Sequence, residues 1–582
     1  MKFFYFLILL FFQSFLTAQV PEWVVPIREI DKESISDMVT GSDGSIYAVG
    51  LFEGHVDFDP GPGLYYMNTF TQDKGRIFCI KLSPNGNLIW AKQMGGNIMA
   101  SITDDEKLHP KIAIDGADNI YITGMCFTNV DLDPSPFSSY FIPGAPISSV
   151  FRFVGKYNSN GNFMWAKKVG GDDPNVARIN SMKVDPAGNI YMGGDFRYTI
   201  DVDPGPGVYN LTTDTLSDMF FMKLDTNGNF AWAKQMGSLG NDDKIEKMVI
   251  DGQNIYITGY FKGQIDFDPG SSVHQVQSHA LGDAFVGKYK LSDGGFQWVR
   301  SFASNDFAFG YAVDVDETGN VYSAGTFKGT VDFNPDPNTT FNMTSIGPSS
   351  IYFLKLNSAG QFVWVKNFGA MGTLGFTSSE LPHSVAVKGD KVYLAGHFLT
   401  SMDCNPDDNA ENWIYANGGN DDIFFIALNA GGNFLWAKSY GGELYDYPYN
   451  IHIDANNDIL LCGRYSNKVN FYPGVTFAPV LGVYDGFLLK LKENAYLNLK
   501  TDESDFRRSL KVYPNPTSDI ITVTSDSKIS VVTVNNAEGK LILSKKVEAV
   551  SVTLSIKDLP TGVYFVNTVT GSKNTTQKII KK

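Results

Sequence analysis

The sequence predicts an all-β protein, with a seven-bladed β-propeller as its body and a small C-terminal β-sandwich domain. Three observations lead to this prediction. A tryptophan recurs every 66–75 residues, a strand-like Ile-Tyr-x-x-Gly segment recurs with it, as at 46–50 and 120–124, and no window shows the 3.6-residue apolar period of a helix. Repeats of this kind are typical of propellers and solenoids. The recurring tryptophans are Trp23, Trp90, Trp165, Trp232, Trp298, Trp364 and Trp436. We interpret them as residues that pack between blades.

Each repeat unit is predicted to contain four strands. In the second unit, residues 112–115 are followed by a turn rich in Gly, Asp and Asn, and then by the strand at 120–124. In the third unit, the strand at 220–224 precedes Asn227-Gly228, a dipeptide that favours a tight hairpin. The strand at 230–234 then carries the tryptophan.

The two ends of the repeat array are out of phase in a way that predicts a closed ring. The last unit contains three strands, ending near 487–491, and lacks a tryptophan strand. The chain begins instead with an unpaired tryptophan strand at 22–26. Closure by this N-terminal strand protects sheet edges that would otherwise aggregate, whereas a linear solenoid needs distinct caps.

Composition divides the chain into four parts. Residues 1–18, with a positive start, an apolar run and small residues near the end, have the layout of a secretory signal peptide. Residues 19–492 carry the repeats, residues 493–509 form a polar linker, and residues 510–582 form the C-terminal domain. No later stretch reaches the ~20 apolar residues of a membrane-spanning helix, so no transmembrane segment is expected after signal removal. We expect the protein to be secreted or held on the outer cell surface.

The net charge narrows the set of partners, and the positions of the cysteines indicate the state of their thiols. The net charge of −15 argues against nucleic acid, whose phosphates require clustered Lys and Arg. The four cysteines, Cys79, Cys126, Cys404 and Cys462, occupy apolar strand positions. The sequence favours buried thiols at these positions and leaves disulfides as the alternative.

The unit pattern resembles a known repeat family. Ile-x-x-Asp-x-x-Gly-Asn-Ile-Tyr-x-x-Gly, followed by Phe-x-x-Lys-Leu and Gly-Asn-x-x-Trp-Ala-Lys, is similar to the bacterial SBBP-type β-propeller repeat over about 23–491. The resemblance implies a propeller fold and little about function. The units here are longer than ~40–45-residue blades, because a segment is inserted between the second and third strands.

The inserts contain paired acidic residues. The first four inserts share an apolar-Asp-x-Asp-Pro motif. Its aspartate pairs are Asp57 and Asp59, Asp131 and Asp133, Asp201 and Asp203, and Asp266 and Asp268. These carboxylates are weak candidates for Ca²⁺ ligands, since Ca²⁺ takes six to eight oxygens. The favoured alternative is that the second Asp caps the following turn through its side chain. No cofactor is assigned, and Ca²⁺ binding by these aspartates is left as the alternative.

No catalytic motif is present, so the sequence favours a protein that is not an enzyme. It lacks a His-Glu-x-x-His zinc motif, a Gly-x-Ser-x-Gly elbow and a phosphate-binding Gly-rich loop. Inserts that share one face of the ring favour binding of an extracellular glycan or protein. The alternatives are a glycosidase-like hydrolase with its site at the propeller centre and a purely structural surface protein. Charged residues converging on the central channel would favour the hydrolase.

The C-terminal domain resembles the type A sorting domain of the type IX secretion system. The matching features are Tyr-Pro-Asn-Pro, a glycine turn, Leu-x-x-Gly-Val-Tyr and a lysine-rich end. The residues of this sorting motif are Tyr513, Pro514, Asn515, Pro516, Gly539, Gly562, Tyr564, Lys581 and Lys582. The resemblance implies recognition by the type IX secretion machinery and export across both membranes of a Gram-negative bacterium.

Overall fold

The structure is a computed structural model. It describes residues 21–28, 31–69, 75–94, 109–127, 130–142, 150–171, 177–213, 216–369, 380–407, 410–417, 420–472, 475–476, 483–492, 510–536, 541–570 and 573–582. The predicted signal peptide and linker lie outside these residues. The described chain falls into two compact units, one within 19–494 and one within 495–582.

The prediction of an all-β protein is confirmed, because the described residues form strands and turns without a helix. In its described residues, the larger unit contains seven sheets built on four antiparallel strands each. In chain order they are sheet 1, β2 Glu33–Thr40, β3 Ile46–Phe52, β6 Arg76–Leu82 and β7 Leu88–Gln93; sheet 2, β8 Lys111–Ile114, β9 Ile120–Phe127, β10 Val150–Tyr157 and β11 Phe163–Val169; sheet 3, β12 Ala177–Val184, β13 Ile190–Phe196, β16 Asp218–Leu224 and β17 Phe230–Met236; sheet 4, β18 Lys244–Ile250, β19 Asn254–Phe261, β22 Asp283–Lys290 and β23 Phe296–Ser304; sheet 5, β24 Phe307–Val315, β25 Val321–Lys328, β28 Ser350–Leu356 and β29 Phe362–Phe368; sheet 6, β30 Leu381–Lys388, β31 Lys391–Leu399, β34 Asp421–Asn429 and β35 Phe434–Tyr440; sheet 7, β36 Tyr447–Ile453, β37 Ile459–Tyr465, β40 Asp485–Leu491 and β1 Pro21–Ile27.

The seven sheets close into a ring. The first strand of each sheet contacts the first strand of the next, from β2 through β8, β12, β18, β24 and β30 to β36, and β36 contacts β2. These strands surround a central channel. Sheet 7 is assembled from both ends of the array, since β1 pairs antiparallel with β40 and places Trp23 opposite Lys490.

Within a sheet, the repeated polar residues form one cross-strand layer. Tyr47 on β3 lies opposite Lys81 on β6, which in turn lies opposite Trp90 on β7. The Lys81 ammonium nitrogen is 4.8 Å from the centre of the Tyr47 ring, within the range of a cation–π contact. The same contact recurs at Lys156 and Tyr121, Lys223 and Tyr191, Lys288 and Tyr256, and Lys355 and Tyr322. The repeated Tyr and Lys therefore have a role in holding the sheet together.

Between sheets, six of the seven recurring tryptophans contact the tight turn of the next sheet. Gly86, in the tight turn of sheet 1, has φ = 81°, and a Cβ built there would lie 3.0 Å from the Trp23 ring. Glycine is the residue that adopts this φ without strain and leaves room for the ring. The same pairing occurs for Trp90 and Gly161, Trp165 and Gly228, Trp232 and Gly294, Trp298 and Gly360, and Trp364 and Gly432.

The inserts fold back as short hairpins that join the core between sheets. Their strands are β4 His55–Asp57 with β5 Tyr66–Asn68, β14 Thr199–Asp201 with β15 Asn210–Thr212, β20 Gln264–Asp266 with β21 Gln275–Gln277, β26 Thr330–Asp332 with β27 Asn342–Thr344, β32 Ser401–Asp403 with β33 Trp413–Tyr415, and β38 Asn470–Tyr472 with β39 Val475–Thr476. In the first insert, Val56 and Phe58 are fully buried. They share a core with Val25 of sheet 7 and Phe78 of sheet 1. The hairpin therefore fills space between two neighbouring sheets.

The smaller unit is a five-stranded antiparallel sheet. It contains β41 Leu510–Tyr513, β42 Ile520–Asn536, β43 Leu541–Ser555, β44 Gly562–Thr570 and β45 Lys573–Lys581. Register shifts interrupt the pairing of the long strands β42 and β43. Val523 and Val532, from the two ends of β42, share a single core with Val566 and Ile579. Across the described part of the chain, no helix has the length and apolar character needed to cross a bilayer.

Candidate functional site

The paired aspartates of the first insert bind backbone amides of their own hairpin. Asp57 Oδ1 accepts hydrogen bonds from the backbone N–H groups of Asp59, at 3.0 Å, and Tyr65, at 2.8 Å. Asp59 Oδ1 accepts one from the Gly61 N–H at 2.8 Å. Each carboxylate thus closes a turn in the manner of an Asx cap. The apolar residue between them points the other way, into the core.

The same hydrogen bonds recur whether the second residue is Asp or Asn. Asp131, Asp201 and Asp266 each accept two backbone amides, and Asp133, Asp203 and Asp268 each accept one. In the fifth and sixth inserts, Asn334 and Asn405 fill the second position and still accept the amides of Asp336 and Asp407. The backbone cap therefore does not need a second charge. Among the described residues, no cluster of three or more His, Cys, Asp or Glu side chains has an arrangement suited to a metal ion.

The tips of the first two inserts border an outer groove. Its lining includes Tyr65, Tyr66 and Phe137 together with Lys92 and Asn162. Phe137 is 96% exposed and Tyr66 is 43% exposed. The Tyr66 ring stacks on His55, with a centroid distance of 4.3 Å and an interplanar angle of 12°. The groove therefore combines flat apolar faces with hydrogen-bonding groups, since Lys92 Nζ also donates to Asn162 Oδ1 at 2.8 Å.

Aromatic residues follow the insert turn in other units as well. Each packs on the phenylalanine that begins the outermost strand of its own sheet. The centroid distances are 4.7 Å for Tyr140 and Phe163, 4.7 Å for Tyr209 and Phe230, 4.8 Å for His274 and Phe296, and 4.9 Å for Phe341 and Phe362. These pairs attach the insert tip to the outer strand.

The central channel carries charged residues that sequence reasoning did not single out. Its lining includes Asp37, Lys183, Lys247, Asp314 and His452, from sheets 1, 3, 4, 5 and 7. They were missed because they match no catalytic or binding motif and fall at two positions of the first strand that differ from unit to unit. The position of Asp37, for example, is occupied by Lys247 in sheet 4 and by Asn450 in sheet 7. The usable signal was the charge within the otherwise apolar first strand.

Both channel aspartates join neighbouring sheets. Asp37 Oδ1 accepts from the Met38 N–H at 2.9 Å and from Asn450 Nδ2 of sheet 7 at 2.6 Å, and its Oδ2 accepts from the Ile112 N–H of sheet 2 at 3.1 Å. Asp314 accepts from the Val315 N–H at 2.9 Å and from the Val387 N–H of sheet 6 at 2.8 Å. Every oxygen of these carboxylates has a hydrogen-bond donor.

Burial shifts the ionisation of the channel groups. It raises the pKa of Asp314 to about 6, against hydrogen bonds from the backbone N–H groups of Val315 and Val387 that lower it. It lowers the pKa of Lys247 to about 8, and the charges of Lys111 and Lys183 lower it further. It also lowers the pKa of His452 to about 4, so this imidazole is neutral at pH 7. Its Nε2 lies 2.8 Å from Thr40 Oγ1.

The described cysteine side chains are buried thiols. Cys79, Cys404 and Cys462 are free, and burial raises the pKa of each thiol well above its usual value. A thiol of this kind is unreactive, because the thiolate is the nucleophile. The side chain of Cys126 lies outside the described residues.

The sorting motif lies against the last strand of the smaller unit. Asn515 Oδ1 accepts a hydrogen bond from the Ile580 N–H at 2.9 Å, and Tyr564 donates its hydroxyl to the Pro560 carbonyl at 2.8 Å. Lys581 is buried, whereas Tyr513 is half exposed. The structure thus brings Tyr513–Pro516 and the C-terminal lysines into one region. Gly539 lies outside the described residues.

The larger part of the chain is similar to repeat proteins at low identity. An uncharacterised WD repeat-containing protein of Acanthamoeba polyphaga mimivirus is 21% identical over 524 residues. This match spans 77% of the present chain but 36% of the relative. WD repeats are a propeller-forming class, and the relative is itself uncharacterised.

Solved structures overlap most of the chain with low structural similarity. PorZ, a surface component of the type-IX secretion system of Porphyromonas gingivalis, is 11% identical, with 96% of this chain and 100% of that chain covered and a TM-score of 0.18. A protein of unknown function from Dyadobacter fermentans is 11% identical, with coverages of 82% and 100% and a TM-score of 0.29.

The C-terminal unit has a direct family match. Residues 511–582 match the family described as the secretion system C-terminal sorting domain. This match includes the sorting residues from Tyr513 to Lys582 and confirms the resemblance seen in the sequence. Residues 511–582 are therefore a C-terminal sorting domain, which directs the protein through the type IX secretion system to the cell surface.

Proposed function

We propose that the larger unit is a seven-bladed β-propeller, related to SBBP-type repeats, that binds an extracellular glycan at the cell surface. Residues 1–18 act as the signal peptide in this proposal. The observation that carries the glycan assignment is the outer groove, where the exposed rings of Tyr66 and Phe137 flank Lys92 and Asn162.

The chemistry of the groove suits a sugar better than a protein partner. Sugar rings present an apolar face and a rim of hydroxyls. Aromatic rings cover the face, while the amide of Asn162 can donate to and accept from the hydroxyls and the ammonium of Lys92 can donate to them. The inserts add support, because their buried apolar residues anchor the hairpins between sheets and hold the tips in place. A preorganised site loses little conformational entropy on binding.

The test is binding of the full chain to a polysaccharide array, with Ca²⁺ and with a chelator. We expect binding to one class of glycan, and at least a tenfold loss of affinity in a Tyr66→Ala/Phe137→Ala double variant. Leu239→Ala, which removes an exposed apolar side chain elsewhere, is the matched control. Absence of binding in both conditions, or equal binding by the double variant, would reject the groove as a glycan site. Loss on chelation would instead make the insert aspartates Ca²⁺ ligands.

One observation favours a hydrolase at the channel as a second candidate. Charged residues do converge there, and the raised pKa of Asp314, about 6, is suited to a general acid. The hydrogen bonds to both channel aspartates count against it, because a carboxylate that joins two sheets is constrained as a proton donor. This candidate would be supported if the protein released reducing sugar from the polysaccharides that it binds on the array, and if the Asp314→Asn variant did not.

A further inference from the structure

Three lysines enter the channel region from consecutive sheets. Lys111, Lys183 and Lys247 lie on β8, β12 and β18, the first strands of sheets 2, 3 and 4. Lys183 and Lys247 line the channel directly. The three ammonium groups are close enough for the other two to depress the pKa of Lys247. One side of the channel is therefore positively charged, in a chain whose net charge is −15.

No described carboxylate neutralises these lysines at contact distance. Among the residues that the structure describes, none of the three ammonium groups has an ion-pair partner within 4.0 Å or a hydrogen-bond acceptor. The nearest acidic side chains, Asp37 and Asp314, direct their oxygens to amides of adjacent sheets. Asp37 and Asp314 offset part of this positive charge at longer range, because Asp37 raises the pKa of Lys247 and both Lys183 and Lys247 lower the pKa of Asp314. A partly buried cluster of like charges is still unfavourable, so an anion bound at contact distance would stabilise it.

Sheets 6 and 7 add neutral polar groups to the channel, next to Lys388, which is paired with Glu317 at 3.0 Å. The neutral groups are Ser384, Asn450 and His452. Ser384 Oγ donates to Asn450 Oδ1 at 2.9 Å, and Asn450 Nδ2 donates to Asp37 Oδ1 at 2.6 Å. These groups are fixed in a hydrogen-bonded row. They can face the hydroxyls of a ligand whose anionic group lies on the lysine side.

We propose that the central channel binds a small hydroxylated anion, with its carboxylate or phosphate held by Lys183 and Lys247. The channel volume of about 330 Å³ lies at the lower end of the range for small-molecule sites. Lys111 strengthens the positive potential from the adjacent strand. This site is separate from the outer groove, so the result of its test does not depend on whether the groove binds a glycan.

The test is calorimetric titration of the full chain with D-glucuronate, inorganic phosphate and, as a neutral control, D-glucose. We expect binding of at least one anion and none of glucose. Lys247→Met and Lys183→Met should each weaken anion binding about tenfold, as expected for a hydrogen bond to a charged group. Lys290→Met removes an exposed lysine from β22 and should leave the affinity unchanged. Preference for glucuronate identifies a carboxylate site, and preference for phosphate identifies a phosphate site.

A pH series on the native chain avoids any folding defect in the variants. Glucuronate keeps its charge from pH 6 to pH 10, so a change in affinity reports on the protein. The groups that act on Lys247 are Lys111, Lys183, Asp37, Asp314 and the thiol of Cys462. Because Lys247 has a pKa of about 8, affinity should fall as pH rises from 7 to 9. Equal affinity across this range, equal affinity in Lys247→Met, or no binding of either anion would overturn the proposal.

Discussion

The indole N–H of Trp23 donates a hydrogen bond to the carbonyl of Pro84, with an N–O distance of 3.2 Å. Trp23 lies on the strand that completes sheet 7, and Pro84 lies in the turn between β6 and β7 of sheet 1. The contact therefore joins the last sheet to the first. Trp232 and Ser292, and Trp364 and Ala430, make the same bond between other neighbouring sheets.

Two substitutions of Trp23 should destabilise the ring of sheets to different extents. Trp23→Phe keeps an aromatic ring but loses the hydrogen bond, at a cost of about 1 kcal/mol. Trp23→Ala also loses the packing on Gly86 and should cost about 2–4 kcal/mol, less than a fully buried tryptophan because the side chain is only partly buried. Urea unfolding followed by circular dichroism measures both. Trp413→Phe, which removes an exposed hydrogen bond to Glu411, is the control and should have little effect.

A methyl group at Gly86 should disturb the same contact from the other side. Gly86→Ala forces an L-residue into φ = 81° and places Cβ 3.0 Å from the Trp23 ring. The left-handed conformation alone costs about 1–2 kcal/mol. Gly252→Ala is the control, because a Cβ there has no neighbour within 4 Å. Equal thermal midpoints for the two variants would show that the turn does not support the ring closure.

The role of the insert aspartates can be separated from Ca²⁺ binding with a pair of substitutions at Asp59. Asp59→Asn keeps the acceptor for the Gly61 N–H, as Asn334 and Asn405 do in later inserts, so stability should change little. Asp59→Ala loses the cap and should cost about 1 kcal/mol. The measurement is unfolding with Ca²⁺ and with chelator. A stabilisation by Ca²⁺ that Asp59→Asn abolishes would contradict the capping role.

A buried carboxyl in sheet 6 should make stability depend on pH. Burial raises the pKa of Asp422 to about 7, and the charge of Asp421 raises it further, although hydrogen bonds from Asn417 oppose the shift. The folded state therefore holds a proton that the unfolded chain releases near pH 4. The stability contributed by that proton is present below pH 4 and is lost as pH rises to 7.

The Asp422→Asn variant tests this contribution. Relative to the native protein, it should gain stability progressively between pH 4 and pH 7 in chemical denaturation. The control is Asp390→Asn, at an exposed aspartate. Its free energy of unfolding should change with pH in the same way as that of the native protein over this range. A constant difference between Asp422→Asn and the native protein at all pH values would show that Asp422 does not titrate in this window.

Much of the architecture could be predicted because it depends on local patterns. The period of the tryptophans, the Asn-Gly turns and the absence of helical periodicity indicated β units, and the described residues are indeed all strand and turn. The sorting domain was predicted from Tyr513–Pro516, Gly562 and the terminal lysines, and the family match confirms it. These features are fixed by residues that are close in sequence.

The channel and the outer groove could not be predicted, because each is built from residues on different sheets. Asp37 meets Asn450, 413 positions away, and the groove brings Tyr66 of the first insert to Phe137 of the second. The sequence by itself determined the repeat, the turns and the export signal. The tertiary structure decided which first-strand charges share the channel and which aromatic rings share the groove. Those contacts arise only when the ring closes and desolvates them together.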